Sequence, residues 1–161
     1  MSARIRLTLV VLVVLAAVFA RASGVLAAPT IYDREDAQRV AGSQTRFIAY
    51  ATLLLGVPYT YGGTSPESGF DCSGFTRYVY EHFGFELPHY SVAQYGLGRN
   101  VPRADLEPGD LVFFDGLGHV GLYLGAGTFI HAPHTGTDVS VDSLSGWYAD
   151  RYDGARRIID E

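Results

Sequence analysis

The chain has 161 residues, a length that suits one domain and leaves little room for a second. Hydrophobic residues make up 48%, aromatics 13% and charged residues 18%, which is the composition of a packed globular protein and excludes an intrinsically disordered one. The net charge of −5 argues against a protein that binds nucleic acid through its phosphates.

Arg4 and Arg6 precede an uncharged apolar stretch from Leu7 to Ala20, which Arg21 ends. Small residues follow: Ala22, Ser23 and Gly24, then Ala27 and Ala28 before Pro29. The apolar stretch falls short of the roughly 20 residues that span a bilayer. Residues 1–28 therefore read as a secretory signal peptide, cleaved after Ala22 or after Ala27. An uncleaved signal anchor is the alternative. No cysteine lies near the segment, so a lipid anchor on an N-terminal cysteine is excluded. The segment carries three arginines and no acid, so its removal takes the net charge from −5 to −8. The expected mature protein is exported to periplasm, cell wall or medium, with no stable membrane association and no nucleic-acid partner.

Residues 29–42 are polar and read as an irregular linker. A helix is predicted over 43–55, with Phe47, Ile48, Ala51, Leu54 and Leu55 on one face and Gly56 as its stop. Val57 to Gly63 reads as an extended segment entering a glycine turn, and Thr64 to Gly69 as a loop. Cys72 to Phe83 reads as a second helix, with Phe75, Tyr78, Val79 and Phe83 on one face. Asp71 stands where an N-cap belongs, and Gly84 ends the helix. Ser91 to Gln94 matches a capping box and predicts a short third helix.

After that the period becomes strand-like. Leu111–Phe114, His119–Leu124, Thr128–Ala132, Val139–Val141 and Arg156–Ile159 are predicted strands, separated by Gly and Asp turns. Helices followed by a meander give an α+β domain over residues 43–161, with the helices packed on one side of a small antiparallel sheet.

The one cysteine cannot form an internal disulfide, so it is either a small buried hydrophobe or a thiol kept for its chemistry. Cys72 in the first turn of a helix would feel the positive end of the helix dipole, which should lower its pKa. The unpaired N–H groups of that turn could hold an oxyanion. His119 and His131, on neighbouring strands, are candidates for the base and for a group orienting it, with His134 also available. Both histidines are expected near the sheet edge facing the helix. A structural role for each histidine, or a zinc site from Cys72, His119, His131 and His134, are the competing readings; the chain lacks the close Cys or His pairs that usually seed zinc sites.

The strings Pro58-Tyr59-Thr60-Tyr61-Gly62-Gly63 and Phe70-Asp71-Cys72-Ser73-Gly74-Phe75 resemble the signature of NlpC-type cell-wall peptidases. Leu87-Pro88, Ser91 with Gln94, Pro108 to Phe114, Gly118 to Gly125 and Ile130-His131-Ala132-Pro133 extend the match in order, over roughly residues 43–160. The resemblance implies a papain-like fold, with Cys72 as nucleophile, His119 as base and His131 as the third, orienting group. It implies that Tyr59 points into the site and helps hold the oxyanion, and that Asp71 and Ser73 contact a substrate with a free amino terminus. The implied reaction is hydrolysis of amide bonds in peptidoglycan stem peptides, typically between D-glutamate and the diamino acid, without metal or organic cofactor. The sequence departs from the family pattern at His89, where an arginine is common, and in a slightly longer loop over Thr64 to Gly69. An amidase or acyltransferase on the same scaffold, or a catalytically idle wall-binding module, are the rival functions.

Overall fold

The computed structural model describes residues 31–159, and side chains from residue 42 onward. The expected signal peptide and the first two residues of the expected linker lie outside that range. Among the described residues no helix is long and apolar enough to cross a membrane. The chain separates into two units with the boundary at Asp36 and Ala37, and the sheet and both shorter helices lie in the second.

Helix α1 runs over Ile31–Thr52. The segment expected to be an irregular linker is therefore helical from residue 31. Its polarity was misleading: between Ile31 and Gly42 there is no proline and no glycine, and Glu, Arg, Gln and Ala are good helix formers. The helix also stops three residues before its predicted end. Bonds from Leu53, Leu54 and Leu55 to carbonyls three residues back tighten it into turns. Phe47, Ala51 and Leu54 enter the core as predicted, whereas Leu55 is 46% exposed.

Two short strands, β1 (Thr64–Ser65) and β2 (Gly69–Phe70), pair antiparallel where a loop was expected. Helix α2 spans Cys72–His82 and α3 spans Ser91–Tyr95. Strand β3 (Arg99–Asn100) precedes the predicted set: β4 (Leu111–Phe114), β5 (His119–Gly125), β6 (Thr128–His131), β7 (Ser140–Ser143) and β8 (Tyr152–Arg157). The six-stranded antiparallel sheet has the order β3-β8-β4-β5-β6-β7. It is thus a meander from β4 to β7, with β8 returning to the interior between β3 and β4.

Each face of the sheet has its own core. Leu111, Phe113, Val120, Leu122 and Ile130 pack with the helix residues Phe47, Ala51, Phe75, Val79 and Tyr80. The alternate residues Val112, Phe114, Tyr123, Phe129 and Ala155 form a second cluster on the opposite face with Leu144, flanked by Tyr148 and Tyr152. Phe70, Phe75, Phe113, Phe114 and Phe129 are wholly buried, each contributing about 1.5–3 kcal/mol of transfer free energy. The α+β arrangement is as predicted.

Candidate active site

Cys72 is the first residue of α2, because Asp71 caps the helix. The Asp71 backbone is extended, and its Oδ1 accepts from the Gly74 N–H at 2.7 Å and from the Ser73 hydroxyl at 3.1 Å. Its Oδ2 accepts from the Gly62 N–H at 3.0 Å and stands 2.7 Å from His89 Nε2. The glycine loop can lie against this turn only because residue 74 has no side chain: a Cβ there would sit 2.0 Å from the Gly63 carbonyl oxygen.

The turn is braced from below by Gln94, which is fully buried. Its amide donates to the carbonyls of Ser73 and Pro88, and its oxygen accepts from Thr76 Oγ1. The predicted capping box is not formed. Tyr90, not Ser91, is the N-cap of α3, and Ser91 Oγ donates to the Leu117 carbonyl at 2.6 Å. That bond, with the Leu117 N–H donating to Asp153, fixes the turn from which β5 starts. Gln94 and Ser91 therefore support the site rather than cap a helix.

His119 opens β5 and pairs with Phe114. Alternation puts His119 and His131 on the sheet face away from α2, not on the helix-facing side as expected. His131 packs there against Phe129 and Tyr148. His119 stands at the very end of its strand. The Cys72 sulfur is in hydrogen-bonding reach of the backbone N–H of Val120, the residue after His119.

The two imidazoles touch: His119 Nε2 stands 2.7 Å from His131 Nδ1. This approach needs Gly121, where a Cβ would meet the Phe129 ring at 2.7 Å and His131 Cβ at 3.1 Å. His131 Nε2 in turn stands 2.9 Å from Asp142 Oδ2 on β7. Asp142 was not legible in the sequence, where it falls one residue beyond the predicted strand Val139–Val141. His134 lies exposed in the following turn, against the Thr135 carbonyl. Among the described residues no group of three His, Cys, Asp or Glu side chains is arranged to hold a metal ion.

Burial dominates the electrostatics. It pushes the Cys72 thiol above its ordinary value, with the Asp71 carboxylate adding to this and the Val120 N–H opposing it. The lowering expected from the helix terminus is thus outweighed. Burial also pushes His119 down to about 3, reinforced by His131 and His134. His131 is lowered by burial, although its bond to Asp142 works the other way. Thiol and imidazole are accordingly both neutral at rest. Tyr59 is partly buried, and its phenol is raised by burial and by the nearby Cys72 and Asp71. Tyr59, Asp71, Cys72 and Ser73 thus lie together around the start of α2, and His119 and His131 adjoin each other on β5 and β6.

A cysteine at a helix start set against a pair of strand-borne histidines is the layout of a papain-like α+β domain. A family model described as NlpC/P60 family matches residues 56–157, and the chain belongs to that family. The chain is 39% identical over 115 residues to the gamma-DL-glutamyl hydrolase of Bacillus subtilis strain 168, covering 69% of this chain and 28% of that protein. It is 39% identical over 135 residues to the murein DD-endopeptidase MepH of Escherichia coli K12, covering 77% of this chain and 50% of that one. The chain therefore spans half or less of these relatives. Among solved structures, the NlpC/p60 domain of the peptidoglycan hydrolase SagA superposes with a TM-score of 0.64 at 39% identity, covering 71% of this chain and 97% of that domain. The peptidoglycan hydrolase RipB of Mycobacterium tuberculosis gives 0.65 at 34% identity, covering 75% of this chain and 67% of the other.

Proposed function

We propose that the protein is an exported cysteine peptidase that hydrolyses amide bonds in peptidoglycan stem peptides. The observation that carries this reading is the Val120 N–H acting on the Cys72 sulfur, in a strand whose preceding residue, His119, has its Nε2 against His131. The remaining ring nitrogen of His119, Nδ1, is then the base.

In this mechanism His119 Nδ1 takes the thiol proton as Cys72 attacks the substrate carbonyl. Backbone N–H groups of the first turn of α2, with Tyr59, stabilise the oxyanion. The leaving amine takes the proton from His119, and water, deprotonated by the same nitrogen, releases the acyl group from Cys72. Because thiol and imidazole are both neutral at rest, the proton moves in the same step as the attack. His131 orients His119, and Asp71 with Ser73 contacts the peptide's amino end.

The bond between D-glutamate and the diamino acid is the proposed target. The similarity to a gamma-DL-glutamyl hydrolase supports it, and the similarity to a DD-endopeptidase supports a cross-link bond instead. Export rests on the apolar N-terminal stretch and its small-residue cleavage sites. The test is incubation of purified protein with peptidoglycan and mass analysis of the fragments, beside Cys72→Ala. New amino termini on the diamino acid are expected, with at least about 10⁴-fold less product from the variant. Equal products from both proteins would overturn the reading.

A further inference from the structure

We infer that Asp142 is a positioning residue: its carboxylate fixes which ring nitrogen of His131, and through it of His119, carries the hydrogen. The inference rests on the cysteine-peptidase reading of the site.

Three groups stand in a row. Asp142 Oδ2 is 2.9 Å from His131 Nε2, and His131 Nδ1 is 2.7 Å from His119 Nε2. The sheet register produces this. His131 lies opposite Ser140 and Phe129 opposite Asp142, so Asp142 reaches His131 diagonally on the same face. Each of the two contacts requires one hydrogen. An ionised carboxylate can only accept, so His131 Nε2 must donate. A neutral His131 then has a bare Nδ1, which can only accept from His119 Nε2–H. A neutral His119 with its hydrogen on Nε2 has a bare Nδ1, the nitrogen that must take the thiol proton. Without Asp142 the opposite sequence is equally well bonded. His131 Nδ1–H would donate to His119 Nε2, leaving His119 Nδ1 protonated and unable to act as base. Asp142 also favours the positive charge that the pair gains during attack. The other ionisable groups facing this row are Tyr148, whose ring closes over His131, and His134; Asp115 acts on Tyr148 from further off.

Asp142 is 45% exposed while His131 is fully buried, so the carboxylate can be altered without opening the core. In Asp142→Asn the amide can donate to His131 Nε2 and so stabilise the wrong tautomer. The expected loss in kcat is about 10-fold to 100-fold, below the roughly 10⁴ for the direct partner of a catalytic histidine, with KM within about twofold. Asp142→Glu should recover most of the rate. The acid limb of the kcat/KM profile should move to lower pH in Asp142→Asn, because the group that favours the protonated pair is gone.

Nitrogen-15 NMR of the imidazoles in the wild-type protein gives the decisive reading and requires no variant to fold. Hydrogens on Nε2 of both His119 and His131, with Asp142→Asn raising the Nδ1–H form, support the inference. A wild-type His131 carrying its hydrogen on Nδ1 overturns it. So do wild-type kcat and acid limb in Asp142→Asn. Loss of activity with an unmoved acid limb, unmoved tautomers and a lower Tm would make Asp142 a purely structural residue and also overturn it. Failure of the peptidase reading looks different: the wild-type protein itself would show no Cys72-dependent turnover.

Discussion

His89 Nε2 lies 2.7 Å from the Asp71 carboxylate that caps the helix bearing Cys72. That carboxylate meets four donors, and His89 is the one of them on a partly exposed side chain from outside the turn. The cap and the buried bonds are therefore expected to outweigh the His89 contact. Asp71→Ala should destabilise the domain by about 2 kcal/mol or more, since it removes the N-cap and strands the Ser73 and Gly62 donors. His89→Ala should cost less than about 1 kcal/mol. Urea unfolding of the two variants compares them. Equal losses would mean that His89, not the cap, holds the turn.

Thiol reactivity should reflect burial rather than the helix terminus. Alkylation of Cys72 by a small reagent should be slow near pH 7 and climb with a midpoint above the roughly 8.5 of a free thiol. His119→Ala should not move the midpoint upward, because a neutral imidazole lends the thiol no positive charge at pH 7. A midpoint near or below pH 7 in the wild-type protein would show a preformed thiolate–imidazolium pair and contradict the neutral resting state.

Stability should fall on mild acidification. His119 is neutral in the folded protein down to about 3, against an ordinary value of 6.5. Between those values the unfolded chain binds the proton and the folded one does not. Stability therefore rises with pH across this window and is lost as pH drops below about 6.5. His131 acts in the same direction. Unfolding free energies at pH 7.5 and 5.5, above the carboxylate range, should differ, and His119→Asn should flatten the slope. A protein that is more stable at pH 5.5 would refute the neutral pair.

Gly121 is needed where β5 and β6 bring the imidazoles together. Gly121→Ala places a methyl 2.7 Å from the Phe129 ring, 3.0 Å from the Ile130 carbonyl and 3.1 Å from His131 Cβ. Overpacking of this kind costs about 1–3 kcal/mol. The variant should lose stability in thermal melts and lose more turnover than its remaining folded fraction accounts for. Wild-type turnover would mean that the contact between His119 and His131 tolerates displacement.

The sequence made most of the elements legible and few of their tertiary consequences. Leu111–Phe114 was read to the residue because Pro108-Gly109-Asp110 and Asp115-Gly116 bracket a wholly apolar run. Cys72–His82 was readable from its cap and from Gly84. The last two strands were misplaced because their limits are set by partners: Tyr152–Arg157 is defined by pairing with β3 and β4, not by its own polar composition. The histidine pair's face was missed because a strand-end residue can serve a site on either side of the sheet. The sign of the thiol shift was missed for a similar reason. A helix terminus is visible in a sequence, whereas burial by β5 and the loop at Tyr59 is not. Asp142 was hidden because diagonal contact depends on register, which Val139–Val141 as a predicted strand would have set differently from Ser140–Ser143.

Strand β8 lies inside the sheet although it is the last strand in the described chain. Ala155 is fully buried, and Arg157 clamps the buried Asp110 ahead of β4 with bonds of 2.7 and 2.8 Å. Until residues 152–157 have left the ribosome, β4 has an unpaired flank and Asp110 has no counter-ion. The sheet therefore closes only once residues 152–157 are available, through a clamp that joins positions 47 residues apart.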